Sequence, residues 1–165
     1  MAIQIGERIP GVTVNIIKDG IQAIDTADAF ANGKTVLFAV PGAFTPTCSN
    51  KHLPGFIAHA DEFAAEGYSI ACLSVNDAFV MSAWAKSQGA PDTITMIADG
   101  NGDFAKALGL ELDARAFGMG LRAKRFALVT DAGTVTHLFL EAPGEFDVSS
   151  AESVLSVIRN NKESA

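Results

Sequence analysis

Thr35-Val36-Leu37-Phe38-Ala39-Val40 runs directly into Pro41-Gly42-Ala43-Phe44-Thr45-Pro46-Thr47-Cys48. An uninterrupted apolar run closed by Pro-Gly predicts a strand over 34–40 that is buried on both faces, as at the centre of a sheet. The segment from Thr47 to Glu66 predicts a helix, with Pro54 as a kink and Gly67 as its stop. Cys48 then sits at a strand-to-helix junction, where backbone N–H groups lack partners and the helix dipole is positive. Such a place favours thiolate over thiol. Cys48 reads as an activated nucleophile.

The rest of the chain extends the same pattern. Val12 to Ile17 and Ile21 to Ile24 predict a hairpin turned by Asp19-Gly20. A short helical piece over Asp25 to Asn32 ends at Gly33. Ser69 to Val75 is a second buried strand, and Asp77 to Gln88 a helix with an acidic start and Gly89 behind it. Ile94 to Ala98 is a short strand, and Gly102 to Leu108 a short helix. Phe126 to Thr130 and Thr134 to Leu140 predict a late hairpin, and Ser149 or Ser150 caps a last helix to Asn160. Strands alternating with helices, plus antiparallel hairpins, define an α/β domain with a central mixed sheet. In such sheets ligands bind beyond the carboxyl ends of parallel strands. Cys48 follows one such end, and Asn76 and Asp77 follow another.

The chain has 165 residues, 48% of them hydrophobic and 19% charged, so it is expected to be a single domain over 1–165 with a sizeable core. Its net charge of −7 argues against non-specific nucleic-acid binding and against docking on anionic membranes. Arg122-Ala123-Lys124-Arg125 is a local basic patch within that balance. The N-terminus lacks the layout of a signal peptide, and the chain has two cysteines, so a cytoplasmic location is expected.

Pro41-Gly42-Ala43-Phe44-Thr45-Pro46-Thr47-Cys48-Ser49 resembles the active-site stretch of the peroxiredoxins, in particular their atypical type-II, five-like branch. The likeness continues through His52-Leu53-Pro54-Gly55-Phe56, the stretch Ala71 to Met81, and Lys124-Arg125-Phe126. It follows family order over most of the chain. The resemblance implies a thioredoxin-like fold and thiol-based reduction of hydrogen peroxide and organic hydroperoxides. It matches Cys48 to the peroxidatic cysteine and Thr45 to the threonine that contacts thiolate and peroxide. Pro41 matches the proline that shields the pocket, and Arg125 the arginine that polarises the site. Gly42, Phe44, His52 and Phe117 are expected around the pocket, and a homodimer near the active site is implied.

The chemistry explains why one cysteine is not enough. An ordinary thiol, with a pKa of about 8.5, is roughly 3% thiolate at pH 7. A pKa near 6 would raise that to about 90%, roughly thirtyfold. Nucleophilicity falls with pKa at a Brønsted slope of about 0.4–0.5, which takes back roughly ten- to eighteenfold. Ionisation nets only a few-fold, so the rate must come from organising the peroxide. One oxygen must lie in line with the sulfur, and the departing oxygen needs donors already in place. The Thr45 hydroxyl, the Cys48 N–H and the Arg125 guanidinium fit that need. Arginine suits the task because its fork holds several donors and is always charged. Among Arg8, Arg115, Arg122, Arg125 and Arg159, only the family match selects Arg125.

Each of these residues also has a plainer reading. Cys48 out of context would be a small buried hydrophobe, and Thr45 a turn residue before Pro46. Cys72 lies inside a predicted strand and reads as an inert core thiol; the alternative is a resolving cysteine that pairs with Cys48. Glu141 to Ser153 contains no cysteine where some relatives carry one, so an external thiol, glutathione with glutaredoxin or thioredoxin, is expected to reduce Cys48. Cys48, His52 and Cys72 do not make a four-ligand set with recognisable spacing, so no metal is expected. No other cofactor is expected. Phe117-Gly118-Met119-Gly120-Leu121 has no regular periodicity and reads as loop packing, pocket mouth or an oligomer contact. A peroxide-sensing switch without sustained turnover is the alternative function. A disulfide oxidoreductase is disfavoured, because positions 45 and 51 are Thr and Lys rather than a Cys-x-x-Cys partner.

Overall fold

The computed structural model describes residues 2–164, with side chains through Asn160. Nine strands and six α-helices are described: β1 (Thr13–Ile17), β2 (Ile21–Asp25), α1 (Thr26–Ala29), β3 (Lys34–Ala39), α2 (Leu53–Ala58), α3 (Ala60–Ala65), β4 (Tyr68–Ser74), α4 (Ala78–Gln88), β5 (Ile94–Ala98), α5 (Asp103–Leu108), β6 (Glu111–Asp113), β7 (Leu121–Ala123), β8 (Phe126–Asp131), β9 (Thr134–Leu140) and α6 (Ala151–Ser164). A π-turn over Cys48–His52 precedes α2.

Seven strands form one sheet in the order β2-β1-β5-β4-β3-β8-β9. β3 pairs parallel to β4, and β4 parallel to β5. β8 joins the other edge of β3 antiparallel, with Ala39 opposite Phe126. That register brings the residue before β8, Arg125, level with the end of β3. Both neighbours of β3 are strands, and the helices cover both faces, which is why 35–40 carries no charge.

The period-2 alternation sorts the side chains. Val36, Phe38, Ile70 and Cys72 pack on one face with Leu53, Phe56, Phe63, Met81, Trp84 and Val154. Leu37, Ala39, Ala71 and Leu73 pack on the other with Phe104 and Leu108. Phe56 of α2 stacks on Phe38 of β3 with ring centroids 4.1 Å apart, and lies 5.5 Å from Phe63. This stack docks the helix that follows Cys48 onto the strand that precedes it.

Two expectations are corrected. The break in the 47–66 helix is not at Pro54 but at His59, whose φ of −102° and ψ of 9° separate α2 from α3. Pro54 instead sits in the first turn of α2, where its missing N–H costs nothing. The strain it imposes falls upstream. A proline ring collides with the carbonyl four residues back, and the turn before it is widened, with Leu53 N–H bonding the Cys48 carbonyl five residues earlier. The stretch 117–121 is not all loop either: Leu121 begins β7, which pairs antiparallel with β6. The Asp77 cap, the left-handed Gly89 and the Ser150 cap, whose hydroxyl accepts from Ser153 N–H, lie where expected.

Phe56→Ala should destabilise the fold by about 3–5 kcal/mol, because the lost ring leaves a cavity between two layers. Urea denaturation followed by circular dichroism measures it.

Candidate active site

The carboxyl end of β3 runs into the loop 40–47, and this loop is held from three sides. Val40 N–H bonds the Leu73 carbonyl of β4. Ala43 N–H donates to the Asn76 carboxamide at 3.0 Å, and Ser74 Oγ donates to the same oxygen at 2.5 Å. Arg122 Nη1 donates to the Pro41 carbonyl at 3.4 Å, and its Nε to the Met119 carbonyl at 2.9 Å. Gly42 is needed for this closure. A Cβ there would lie 2.9 Å from Arg122 Nη1 and 3.1 Å from Thr45 Cγ2. Phe44 takes a φ of 66°, a strained value for an aromatic residue.

The turn then lays Cys48 at the helix start. Ser49 N–H bonds the Thr45 carbonyl at 2.9 Å. Cys48 N–H stands one residue ahead of that bond, among the first amides of a helix, which have no carbonyl a turn earlier. Trp84 Nε1 donates to Ser49 Oγ at 3.0 Å and fastens the turn to α4.

The Cys48 side chain is wholly covered, with 0% exposure. Arg125 Nη2 donates to Cys48 Sγ at 3.1 Å, and Nη1 lies 2.8 Å from His52 Nδ1. The Phe146 ring flanks the guanidinium at 5.9 Å. His52, also 0% exposed, places its Nε2 3.0 Å from the Ser149 carbonyl. Burial, followed by the Arg125 charge, lowers the His52 pKa from 6.5 to about 3. Ser149 is anchored in turn: its N–H and hydroxyl donate to one Glu141 carboxylate oxygen at 2.8 and 2.6 Å. Burial would raise the Glu141 pKa, but these bonds and the amides of Asp147 and Val148 outweigh it and hold the group ionised below the usual carboxylate value.

The structure therefore brings Cys48, Arg125 and His52 into direct contact, with Thr45, Pro41 and Gly42 in the adjoining loop. Thr45 behaves differently from expectation. Its hydroxyl donates to the Gly42 carbonyl at 2.7 Å, so at rest it is not a spare donor. Its lone pairs remain available to accept a proton from a bound hydroperoxide. Phe44 and Phe117 are exposed by 55% and 81%, so neither ring closes over Cys48 within this chain. Cys72 lies mid-strand in β4, opposite Phe38, and is unbridged. Burial, then the nearby Cys48, pushes its thiol well above the ordinary value. Glu141 and Phe146 had no signal of their own; Arg122 was marked only within the 122–125 basic patch and Ser74 only within the stretch Ala71 to Met81. Their roles depend on partners distant in the chain or on turn geometry that no local pattern shows. Asn76 was marked by its place after a strand end.

A buried thiol that receives a guanidinium donor at a helix start is the core of a thiol-dependent redox enzyme of thioredoxin-like fold. Comparison with known proteins agrees. The Redoxin family model matches residues 4–155. Peroxiredoxin-2E, a chloroplastic protein of Arabidopsis thaliana, is 45% identical over 95% of this chain and 70% of its own length. Peroxiredoxin-2C of the same plant is 44% identical, covering 94% of this chain and 98% of its own. The reduced Prx3 of Vibrio vulnificus, solved in complex with hydrogen peroxide, is 48% identical with a TM-score of 0.92, over 97% of this chain and 98% of that one. The chain belongs to the peroxiredoxin family, and its activity is that of a thiol-dependent peroxidase.

His52 is neutral in the fold and takes a proton once the chain unfolds below about pH 6.5. Its contribution to stability is complete above 6.5 and is lost progressively as pH falls toward about 3. Unfolding free energy should drop by about 2 kcal/mol between pH 7.5 and pH 5 relative to the His52→Asn variant, by urea titration at each pH.

Proposed function

We propose that Cys48 reduces hydrogen peroxide and organic hydroperoxides through a sulfenic acid, and that an external thiol restores it. The observation that carries this reading is the Arg125 Nη2–Cys48 Sγ contact at 3.1 Å beside a helix-start amide. The thiolate attacks one peroxide oxygen; the S–O bond forms as the O–O bond breaks. The electron pair leaves on the distal oxygen as alkoxide or hydroxide, which takes back from solvent the proton that the Cys48 thiol released on ionising and becomes alcohol or water. Arg125 and the Cys48 N–H carry the developing charge, and Thr45 Oγ, whose own proton is given to Gly42, accepts from the substrate. Pro41 is assigned by the family match to shield this charge from water, with Gly42 beside it in the loop before Cys48. The hydrogen peroxide bound to the Vibrio vulnificus relative supports that small substrate.

The sulfenic acid is then attacked by a thiol of glutathione, with glutaredoxin, or of thioredoxin; the S–O bond breaks, water leaves, and the mixed disulfide that remains is reduced by a second thiol. Cys72 is a poor internal partner: it is buried in the middle of the sheet with its thiol held protonated. No cysteine lies between Glu141 and Ser153. A nucleophilic cysteine that must be reduced by an external thiol in every cycle suits a reducing compartment, for which the cytoplasm is the proposal. A homodimer is proposed on the family resemblance, with the exposed Phe44, Phe79 and Phe117 as apolar surface open to a second copy.

Cys48→Ser should abolish rapid peroxide consumption in single-turnover mixing, while Cys72→Ser should stay within about threefold of wild type. Arg125→Lys should lose on the order of a hundredfold, since one compact charge replaces the fork that serves two partners. Mass spectrometry after peroxide should find a sulfenic acid or a glutathione adduct on Cys48. A Cys48–Cys72 disulfide would instead make Cys72 the resolving residue.

A further inference from the structure

Among the described residues, His52 is the one buried titratable side chain in contact with Arg125 that the proposed chemistry leaves without a task. Its partners determine its protonation. The Ser149 carbonyl can only accept, so Nε2 carries the hydrogen. Arg125 Nη1 can only donate, so Nδ1 is bare and accepts at 2.8 Å. Both ring nitrogens are used, and the ring is packed against Phe38, Phe56 and Phe146 at centroid distances of 5.0, 5.7 and 5.0 Å.

The π-turn matters here. Cys48 and His52 begin and end it, and the wide turn sets both side chains against one guanidinium. Nη2 meets the sulfur while Nη1 meets the imidazole. Arg125 makes no ion pair with a carboxylate among the described residues. That choice has a physical sense. A carboxylate at the His52 position would fix the guanidinium equally well but would neutralise its field at the sulfur. A neutral acceptor fixes the geometry and leaves the charge for the developing oxyanion. The Glu141 charge that anchors the far end of the chain of bonds acts through Ser149, with the imidazole between it and Arg125.

We infer that His52 is a positioning residue, which as its neutral Nε2–H tautomer clamps Arg125 so that Nη2 stays on the Cys48 sulfur. The rate consequence rests on the peroxidase reading above; the clamp itself does not. Three variants separate the ring's two bonds. Asparagine places an oxygen near the position of Nδ1 but does not reach Ser149. Glutamine reaches Ser149 with its amide but offers no acceptor at Nδ1. Leucine does neither.

The second-order rate constant for hydrogen peroxide should fall roughly 10- to 100-fold in His52→Leu and His52→Gln, the scale of one lost hydrogen bond to a charged group. His52→Asn should recover most of that loss. Alkylation of Cys48 by iodoacetamide, with no peroxide present, should rank the variants in the same order. If wild type failed to turn over peroxide, the peroxidase reading would fall, and the alkylation ranking would still report the clamp. Wild-type rates in all three variants would overturn the inference, and so would an asparagine variant as slow as leucine, which would assign the effect to the Ser149 bond. Should the variants fold poorly, nitrogen-15 NMR of wild-type His52 decides. The expected signature is a bare Nδ1 and a protonated Nε2 from pH 5 to 8; a protonated Nδ1 contradicts the clamp.

Discussion

The site depends on one guanidinium that serves two acceptors. Arg125 reaches Cys48 Sγ with one nitrogen and His52 Nδ1 with the other. A half-buried guanidinium beside the Phe146 ring is costly unless its donors are satisfied. The sulfur accepts one of those donors and the imidazole another, so the contacts that satisfy Arg125 also fix its guanidinium beside the nucleophile. The Phe38, Phe56 and Phe146 rings pack around the His52 imidazole and desolvate that end of the pair of bonds.

The fold supplies this contact through the sheet. β3 ends where the Cys48 turn begins, and β8, antiparallel to β3, starts at the same level just after Arg125. The two functional residues, 77 positions apart, are thus placed by strand register. Glu141 N–H bonds the Arg125 carbonyl across from the end of β9, and the Glu141 carboxylate holds the segment that ends in Ser149. The backbone beside Arg125 and the imidazole beside its side chain are in this way tied to the same short stretch of chain.

The strained features collect at the same place. Phe44 has a left-handed backbone, Gly42 cannot carry a Cβ, and the helix opens into a π-turn ahead of Pro54. Each would be unfavourable alone. They persist because Asn76, Arg122 and Trp84 hold the loop from β4, the β7 strand and α4. A side chain with 0% exposure must also be uncovered before a bulky thiol can reach it, and a widened first turn is a weaker piece of helix to open.

Much of this was legible in the order of residues. The apolar run 35–40, the capped helix after Asp77 and both hairpins follow local pattern and turn chemistry, and the strand-to-helix position of Cys48 follows from them. Thr45, Cys48 and Arg125 were identified through resemblance. The sequence marked Pro54 as the kink of one helix, whereas the structure widens the turn just ahead of it and breaks the helix at His59. The sequence could count His52, Ser149 and Glu141 but not join them. Their contacts span 97 and 8 positions and require β9, the following loop and α6 to pack over the Cys48 turn. Local propensity is a property of neighbours along the chain, and so the nucleophile and its elements were set there; the charge, tautomer and aim of the groups around it are set by desolvation and long-range contact, which only the tertiary structure creates.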